Sequence, residues 1–237
     1  MTISIKDLNK KYGEQWALKN VSLNVDKGEV IGLLGPNGAG KSTLMKCIVG
    51  ALEPTSGEIL VNDRSVKDHA FETKQFIGYL PENNPLYMDM YVKEYLSFVA
   101  DIRKQTSQSI DEVIEKVGLT PEKNKKIKQL SKGYKQRVGL AQAIIHQPDI
   151  LILDEPTNGL DPNQIIEIRN LIKEVGENKT VIISTHIMQE VAALCSRVVL
   201  LNKGEKLADK SIVEFQGKYE TLEAAFHDLT TQTKAEV

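Results

Sequence analysis

The segment Gly35-Pro-Asn-Gly-Ala-Gly-Lys-Ser42 constrains this chain more than any other eight residues. It fits the pattern GxxxxGK[ST], and its surroundings fit as well. The mostly apolar run Glu29–Leu34 before it reads as a buried strand, and Ser42–Gly50 after it carries a helical pattern. Glycines let a backbone wrap an anion without Cβ clashes. The amides of Gly38–Ser42 can converge into an anion nest, and the start of the following helix adds about half a positive charge there. Lys41 supplies a full charge, and Ser42 offers a hydroxyl to Mg²⁺.

The flanking sequence extends this strand, loop and helix into an α/β pattern. Ile3–Leu8 and Val21–Val25 alternate as half-buried strands, and Glu58–Asn62 and Phe76–Leu80 read as further strands. Then the character changes. Met90–Arg103, Ser109–Val117 and Lys132–His146 are helical, Thr120-Pro121 is a turn, and Pro148 stops the last helix. Glu122–Lys128 is a lysine-rich loop, read as a solvated surface or a partner-binding patch. Strands at Asp149–Leu153, Lys179–Ser184 and Arg197–Asn202 alternate with helices at Pro162–Val175 and Ile187–Leu194. That alternation predicts a parallel sheet covered on both faces, with 82–147 as a helical insertion. The polar end, Thr230–Val237, is expected to fray.

A second chemical feature lies in Ile150-Leu-Ile-Leu-Asp154-Glu155, an apolar strand ending in two acids. Burying adjacent carboxylates is costly without a cation or partner. Beside a phosphate loop the economical reading is Mg²⁺ chemistry. Asp154 is assigned to the Mg²⁺ shell through water, and Glu155 to polarising an attacking water as general base. Strand alternation would send the two to opposite faces. A third feature is Leu130-Ser-Lys-Gly133-Tyr134, where Ser131 is a natural helix N-cap and Gly133 permits close backbone approach.

Composition excludes several alternatives. The 237 residues suffice for one large domain. Net charge is −2 and aromatics are 5%, so neither a polyanion partner nor a base-stacking, single-strand role is indicated. Cys47 and Cys195 form no CxxC pair, and read as free thiols. Met1–Lys11 lacks an apolar leader core, and no stretch approaches the roughly 20 apolar residues of a membrane span. The longest runs, Val30–Leu34 and Ile150–Leu153, are strand-sized. A cytoplasmic protein is expected, one that needs another chain for any path through a bilayer.

Taken together, the motifs resemble those of ABC-transporter ATPase subunits, from Tyr12 to about Leu229. Gly35–Ser42 looks like Walker A, and Ile150–Glu155 looks like Walker B followed by the catalytic glutamate. Leu130–Arg137 resembles the ABC signature, Asn158-Gly-Leu-Asp161 the D-loop, and Ser184-Thr-His186 the switch histidine. The resemblance implies a P-loop NTPase (ABC ATPase) core with a mostly parallel sheet, an N-terminal antiparallel β part and an inserted helical subdomain. A single nucleotide-binding domain is expected: core 1–81 and 148–210, helical subdomain 82–147, C-terminal helical extension 211–237.

The implied activity is ATP + H₂O to ADP + phosphate, with ATP and Mg²⁺ as cofactors. The implied nucleotide contacts are Tyr12 on adenine, Gly35, Pro36, Asn37, Gly38, Ala39, Gly40, Lys41, Ser42, Thr43, Glu82, Ser131, Gly133 and Asp161. Ser42, Asp154 (via water) and Glu82 would serve the metal, and Glu155 and His186 catalysis. Without the motif, Tyr12 would read as a strand-edge aromatic and His186 as a satisfied buried histidine. Two cassettes, as homodimer or pseudo-dimer, would close head to tail around two ATP molecules. The signature serine and glycine of one would then face the γ-phosphate held by the other. An integral-membrane permease is the implied partner and no nucleic acid is expected, which places the chain on the inner face of the cell membrane. Pro85–Tyr91, apolar and aromatic, fits either a permease-docking surface or local core.

Two positions depart from the family pattern. Glu82 stands where glutamine is common, and an ionised carboxylate only accepts hydrogen bonds where an amide also donates. Lys132 and Tyr134 replace the usual signature glycine and glutamine. The run GYLPE, the signature and Leu222–Thr230 resemble simple bacterial exporters of the drug-resistance, sodium-efflux and gliding-associated kinds. The alternative is an ABC ATPase acting on ribosomes or nucleic acid; such proteins usually carry two cassettes or a coiled coil, and no sustained heptads occur here. A small-molecule P-loop kinase would have no use for the second phosphate-type helix start.

Overall fold

The computed structural model describes residues 2–232. The chain forms two compact units, one built from the chain up to Lys74 and again from Thr180 onward, the other from Gln75–Lys179. Of the expected frayed end, residues 233–237 lie outside the described residues, and Thr230–Gln232 are helical.

The first unit begins with β1 (Ile3–Tyr12), β2 (Gln15–Val25), β3 (Val30–Leu34), α1 (Lys41–Ile48), β4 (Ser56–Val61), β5 (Arg64–Ser65) and α2 (Ala70–Phe76), whose last two residues belong to the second unit. β1 pairs antiparallel with β2 on one side and β4 on the other, in the order β2-β1-β4-β5. Ile3, Ile5, Leu8, Val21, Leu23, Val25, Ile59 and Val61 bury one face of this sheet. Register shifts between Ile5, Leu8 and Lys10, with Asp7 at φ 49°, break the alternation partway along β1.

The second unit contains β6 (Ile77–Leu80), α3 (Val92–Ile102), α4 (Ser107–Lys116), α5 (Lys132–Ile144), β7 (Ile150–Asp154) and α6 (Pro162–Val175). β6 and β7 are parallel, with Leu80 opposite Leu153. α5 lies so close to β6 that a Cβ at Gly78 would collide with the Ala143 carbonyl. The three helices α3, α4 and α5 pack through Tyr95, Leu96, Ile110, Val113, Ile114 and Val138. The lysine-rich loop is tied to the start of α3: Ile127 N–H donates to Met90 O and Lys128 N–H to Met88 O, both at 2.9 Å. Its Lys125 and Lys128 pair with Glu122 and Asp89 at the surface.

Back in the first unit come β8 (Thr180–Ser184), α7 (Met188–Leu194), β9 (Arg197–Asn202), β10 (Glu205–Ser211), α8 (Ile212–Gln216) and α9 (Leu222–Gln232). β3 sits between β8 and β9 and runs parallel to both, and β10 folds back antiparallel on β9. Being covered on both faces, β3, β8 and β9 are continuously apolar rather than alternating. Leu34, Val191, Val198, Leu200, Phe215, Leu222 and Ala225 form a core that binds α7, α8 and α9 to this sheet. No helix among the described residues is long and apolar enough to cross a membrane.

Candidate functional site

In the first unit, the chain leaves β3 at Gly35, with φ 151°, and turns into α1 at Gly40, with φ 107°. Both glycines are forced by close backbone approach. A Cβ at Gly35 would collide with the Leu201 carbonyl, and one at Gly40 would stand 2.5 Å from Ala17 O. Gly38, at φ 79°, faces open space instead. The loop is pinned from outside by Gly204 N–H, which donates to Ala39 O at 3.0 Å. At a helix start, the amides of Ser42 and Thr43 have no intrahelical acceptor, and they sit at the positive end of α1. Lys41 is 7% exposed, and its Nζ donates to Gly35 O at 2.7 Å, curling back over its own loop. Pro36, Asn37 and Gly38 form the exposed crest.

β8 runs beside β3 in parallel register, with Leu33 opposite Ser184, so the loop bearing His186 leaves the sheet at the same end as the phosphate loop. His186 is exposed, not the buried histidine of the alternative reading. The residues around it are fixed: Thr185 is 1% exposed, and its Oγ1 donates to Glu190 Oε2 at 2.6 Å. Tyr12, at the end of β1, is 50% exposed, with the Lys10 ammonium 5.2 Å from its ring centroid.

In the second unit, β7 delivers Asp154 at its last position, 1% exposed. Glu155 is 7% exposed and adopts the left-handed conformation, φ 49°. Strand alternation therefore does not set its direction; a turn does, closed by Asn158 N–H donating to Glu155 O at 3.1 Å. A non-glycine residue held at positive φ is strained, and such strain gathers at functional positions. Leu80 and Leu153 are register partners, so Glu82 and Glu155 each stand two residues beyond a paired position. Glu82 Oε1 accepts from Asn158 Nδ2 at 3.2 Å. On β6, Tyr79 points a buried hydroxyl with no partner among the described residues. Burial first, then the charges of Asp154 and Glu82, push this phenol above its ordinary value, so it stays protonated.

Ser131 caps α5, accepting from Tyr134 N–H at 3.3 Å. Gly133 is buried, and a Cβ there would press on the Gln164 side chain. Lys132 folds over the loop at Gly159, where an added Cβ would collide with its ammonium. Asp161 caps α6, accepting from Gln164 N–H at 2.9 Å.

A family model described as "ABC transporter" matches residues 18–158. The ABC transporter ATP-binding protein YdbJ of Bacillus subtilis is 41% identical over 236 residues, 98% of this chain and 76% of the relative. This chain belongs to the ABC transporter family. The lantibiotic transport ATP-binding protein SrtF of Streptococcus pyogenes is 38% identical over 95% of this chain and 96% of its own. A solved dimer of the ATP-binding cassette MJ0796, bound to ADP and Pi, superposes with a TM-score of 0.81 at 28% identity, covering 89% of this chain and 98% of that one. The chain is thus an ABC-type ATPase that binds ATP, on the α/β P-loop fold expected from its sequence, with a largely parallel sheet and a separate antiparallel one.

Each unit of this ABC ATPase gathers its own share of the expected residues. The first holds Tyr12, Gly35–Thr43 and His186; the second holds Glu82, Ser131, Gly133, Asp154, Glu155 and Asp161. Sequence reasoning missed Tyr79, Thr185 and Glu190. A phenol inside the apolar strand IGYL was one usable signal, because a buried tyrosine needs a use for its hydroxyl. An acid at position 190, between Ile187 and Val191 on the apolar side of a short helix, was another. Both cysteines are free; burial raises Cys47 to about 11 and Cys195 to about 12, so both stay protonated at neutral pH.

Proposed function

We propose that this ATPase powers export through a separate membrane permease, closing with a second nucleotide-binding subunit around two ATP molecules at the inner face of the membrane. The observation that carries the reading is a second phosphate-type helix start. α1 begins at a glycine loop, and α5 begins at an exposed Ser131 with a buried Gly133 behind it. One chain needs one such start for its own nucleotide; the other is available to a neighbour's γ-phosphate. The transport role named for SrtF supports a transport role here. Tyr87, Met88, Tyr91 and Phe98 are exposed, with the Tyr87 ring 5.7 Å from Phe98, which suits a permease-docking surface.

The residues divide the chemistry. Tyr12 offers its exposed ring to adenine. The loop amides up to Thr43 hold the β- and γ-phosphates, and Lys41 exchanges its two carbonyl partners, Gly35 and Pro36, for phosphate oxygens. Glu155 takes the proton of the attacking water, and His186 orients that water and the γ-phosphate. The donor set fits Mg²⁺. Two carboxyl groups, Asp154 and Glu82, and the Ser42 hydroxyl are oxygen donors, and Mg²⁺ characteristically takes one or two carboxylates plus substrate phosphates and water. Ser42, Asp154 through water, and Glu82 would hold it. When bound, Mg²⁺ neutralises charge on the phosphate oxygens.

The test combines partner and mechanism. The tagged full chain should co-purify with a polytopic membrane protein; ribosomes or nucleic acid in its place would overturn the transport reading. Ser131→Arg should leave nucleotide affinity within about twofold yet abolish the ATP-dependent dimer on sizing chromatography. A normal dimer in that variant would sink the shared-nucleotide model.

A further inference from the structure

We propose that Thr185 and Glu190 are positioning residues for His186, fixing the backbone on both sides of the imidazole through a hydrogen-bond relay. This rests on the reading that His186 acts at the γ-phosphate. Glu190 is 1% exposed in α7, and its Oε2 accepts the Thr185 hydroxyl at 2.6 Å, a short bond. A hydroxyl donates only once, so Thr185 Oγ1 is left as an acceptor, and it takes Ile187 N–H at 3.1 Å. Glu190 N–H in turn donates to Ile187 O at 3.0 Å. Residues 185 and 187 are thereby held from both sides, while His186 between them projects to the surface.

Two features argue that the relay serves the loop rather than packing alone. Burying a carboxyl group is costly, and Glu190 Oε1 has no partner among the described residues, so the bond to Thr185 is what this buried acid provides in return for its burial. Moreover, α7 has no side-chain N-cap of its own at Ile187. The Thr185 hydroxyl instead anchors the N-cap residue from outside the helix by accepting the Ile187 N–H, and the β-branched threonine is stiff at χ1. Reaction geometry is sensitive to such anchoring, because small displacements of a catalytic group cost large factors in rate.

The experiment measures kcat, KM for ATP and Ile187 amide exchange on the full chain. Thr185→Val removes the relay with little change in shape; kcat should fall about 10- to 100-fold with KM within about twofold, and Ile187 exchange should quicken. Thr185→Ser and Glu190→Gln keep a hydroxyl and an acceptor oxygen, and should restore most of the rate. Glu190→Leu fills the space without an acceptor and should reproduce the loss, which guards against poor folding of the valine variant. In a His186→Ala background, Thr185→Val should cost nothing further. Wild-type kcat in Thr185→Val or Glu190→Leu, or an undiminished loss in the His186→Ala background, overturns the relay. Full activity in His186→Ala alone overturns the reading of the histidine itself, and the relay with it.

Discussion

Asn158 donates its side-chain amide to Glu82 at 3.2 Å, joining the loop after β7 to the loop after β6. The bond uses Glu82 purely as an acceptor, the one capacity that a carboxylate and a primary amide share. The departure from glutamine at this position therefore leaves the inter-loop contact intact.

It follows that Glu82→Gln should be silent in stability, within about 0.5 kcal/mol, since the Gln carbonyl can still accept from Asn158. Glu82→Leu should lose roughly 1 kcal/mol, the usual net value of one hydrogen bond. Urea unfolding of the three proteins checks this; equal midpoints for Leu and wild type would show that the Asn158 contact contributes nothing.

The two strained glycines of the phosphate loop should rank above the third. Gly35 and Gly40 each face a backbone carbonyl, whereas Gly38 faces open space. Gly40→Ala must both adopt φ near 107° and push Ala17 away, whereas Gly38→Ala meets only the backbone penalty. We expect Gly40→Ala to cost well above the roughly 1–3 kcal/mol of an ordinary strained residue and to weaken ATP binding sharply. Gly38→Ala should stay within that range. Denaturant midpoints and binding of a fluorescent ATP analogue give the order; a reversed ranking would refute the close-approach account.

Much of this architecture is legible in the residues, and the exceptions have physical causes. Pro162–Val175 and Arg197–Asn202 match their expected bounds, because Asp161-Pro162 marks a helix start and RVVLLN is an uninterrupted buried strand. β1 runs four residues past its expected end, because its bulges shift the apolar alternation that marks a strand. β10 escaped notice because EKLADKS, paired with β9 alone, is mostly polar. Its signal was the turn: Lys203 and Gly204 both have positive φ, the mark of a two-residue hairpin loop. The phosphate loop and the acidic strand end were plain because charge and glycine spacing are local. The Thr185–Glu190 pair was not, since burial of an acid is decided by tertiary packing.

Glu155 offers a sharp test of chemistry against structure. Gln has the same shape and no greater reluctance to sit at φ 49°, so Glu155→Gln should preserve the turn closed by Asn158. What it lacks is basicity. Turnover should fall by about 10²–10⁴-fold while ATP affinity persists, leaving a nucleotide-bound dimer. Phosphate release and sizing chromatography with ATP read both effects, and brisk hydrolysis would end the assignment of Glu155 as base.

His146 supplies a pH dependence with a definite sign. Its Nε2 lies 3.1 Å from Ile77 O, a pure acceptor, so the neutral ring carries its proton there. Burial, reinforced by the charges of Arg103 and Lys179, holds the imidazole down at about 4 against an ordinary 6.5. As pH falls, the unfolded chain takes up this proton near 6.5, well before the folded one does. Stability from the neutral ring is therefore complete above about 6.5 and drains away toward pH 4. Gln at this position can still donate to Ile77 O but does not titrate. Between pH 4 and 7.5 the midpoint of wild type minus that of His146→Gln should fall as pH falls, because the wild type declines more steeply. Carboxylates titrate in both proteins, so the difference between the curves isolates the histidine, and parallel curves would show that His146 is protonated as readily folded as unfolded.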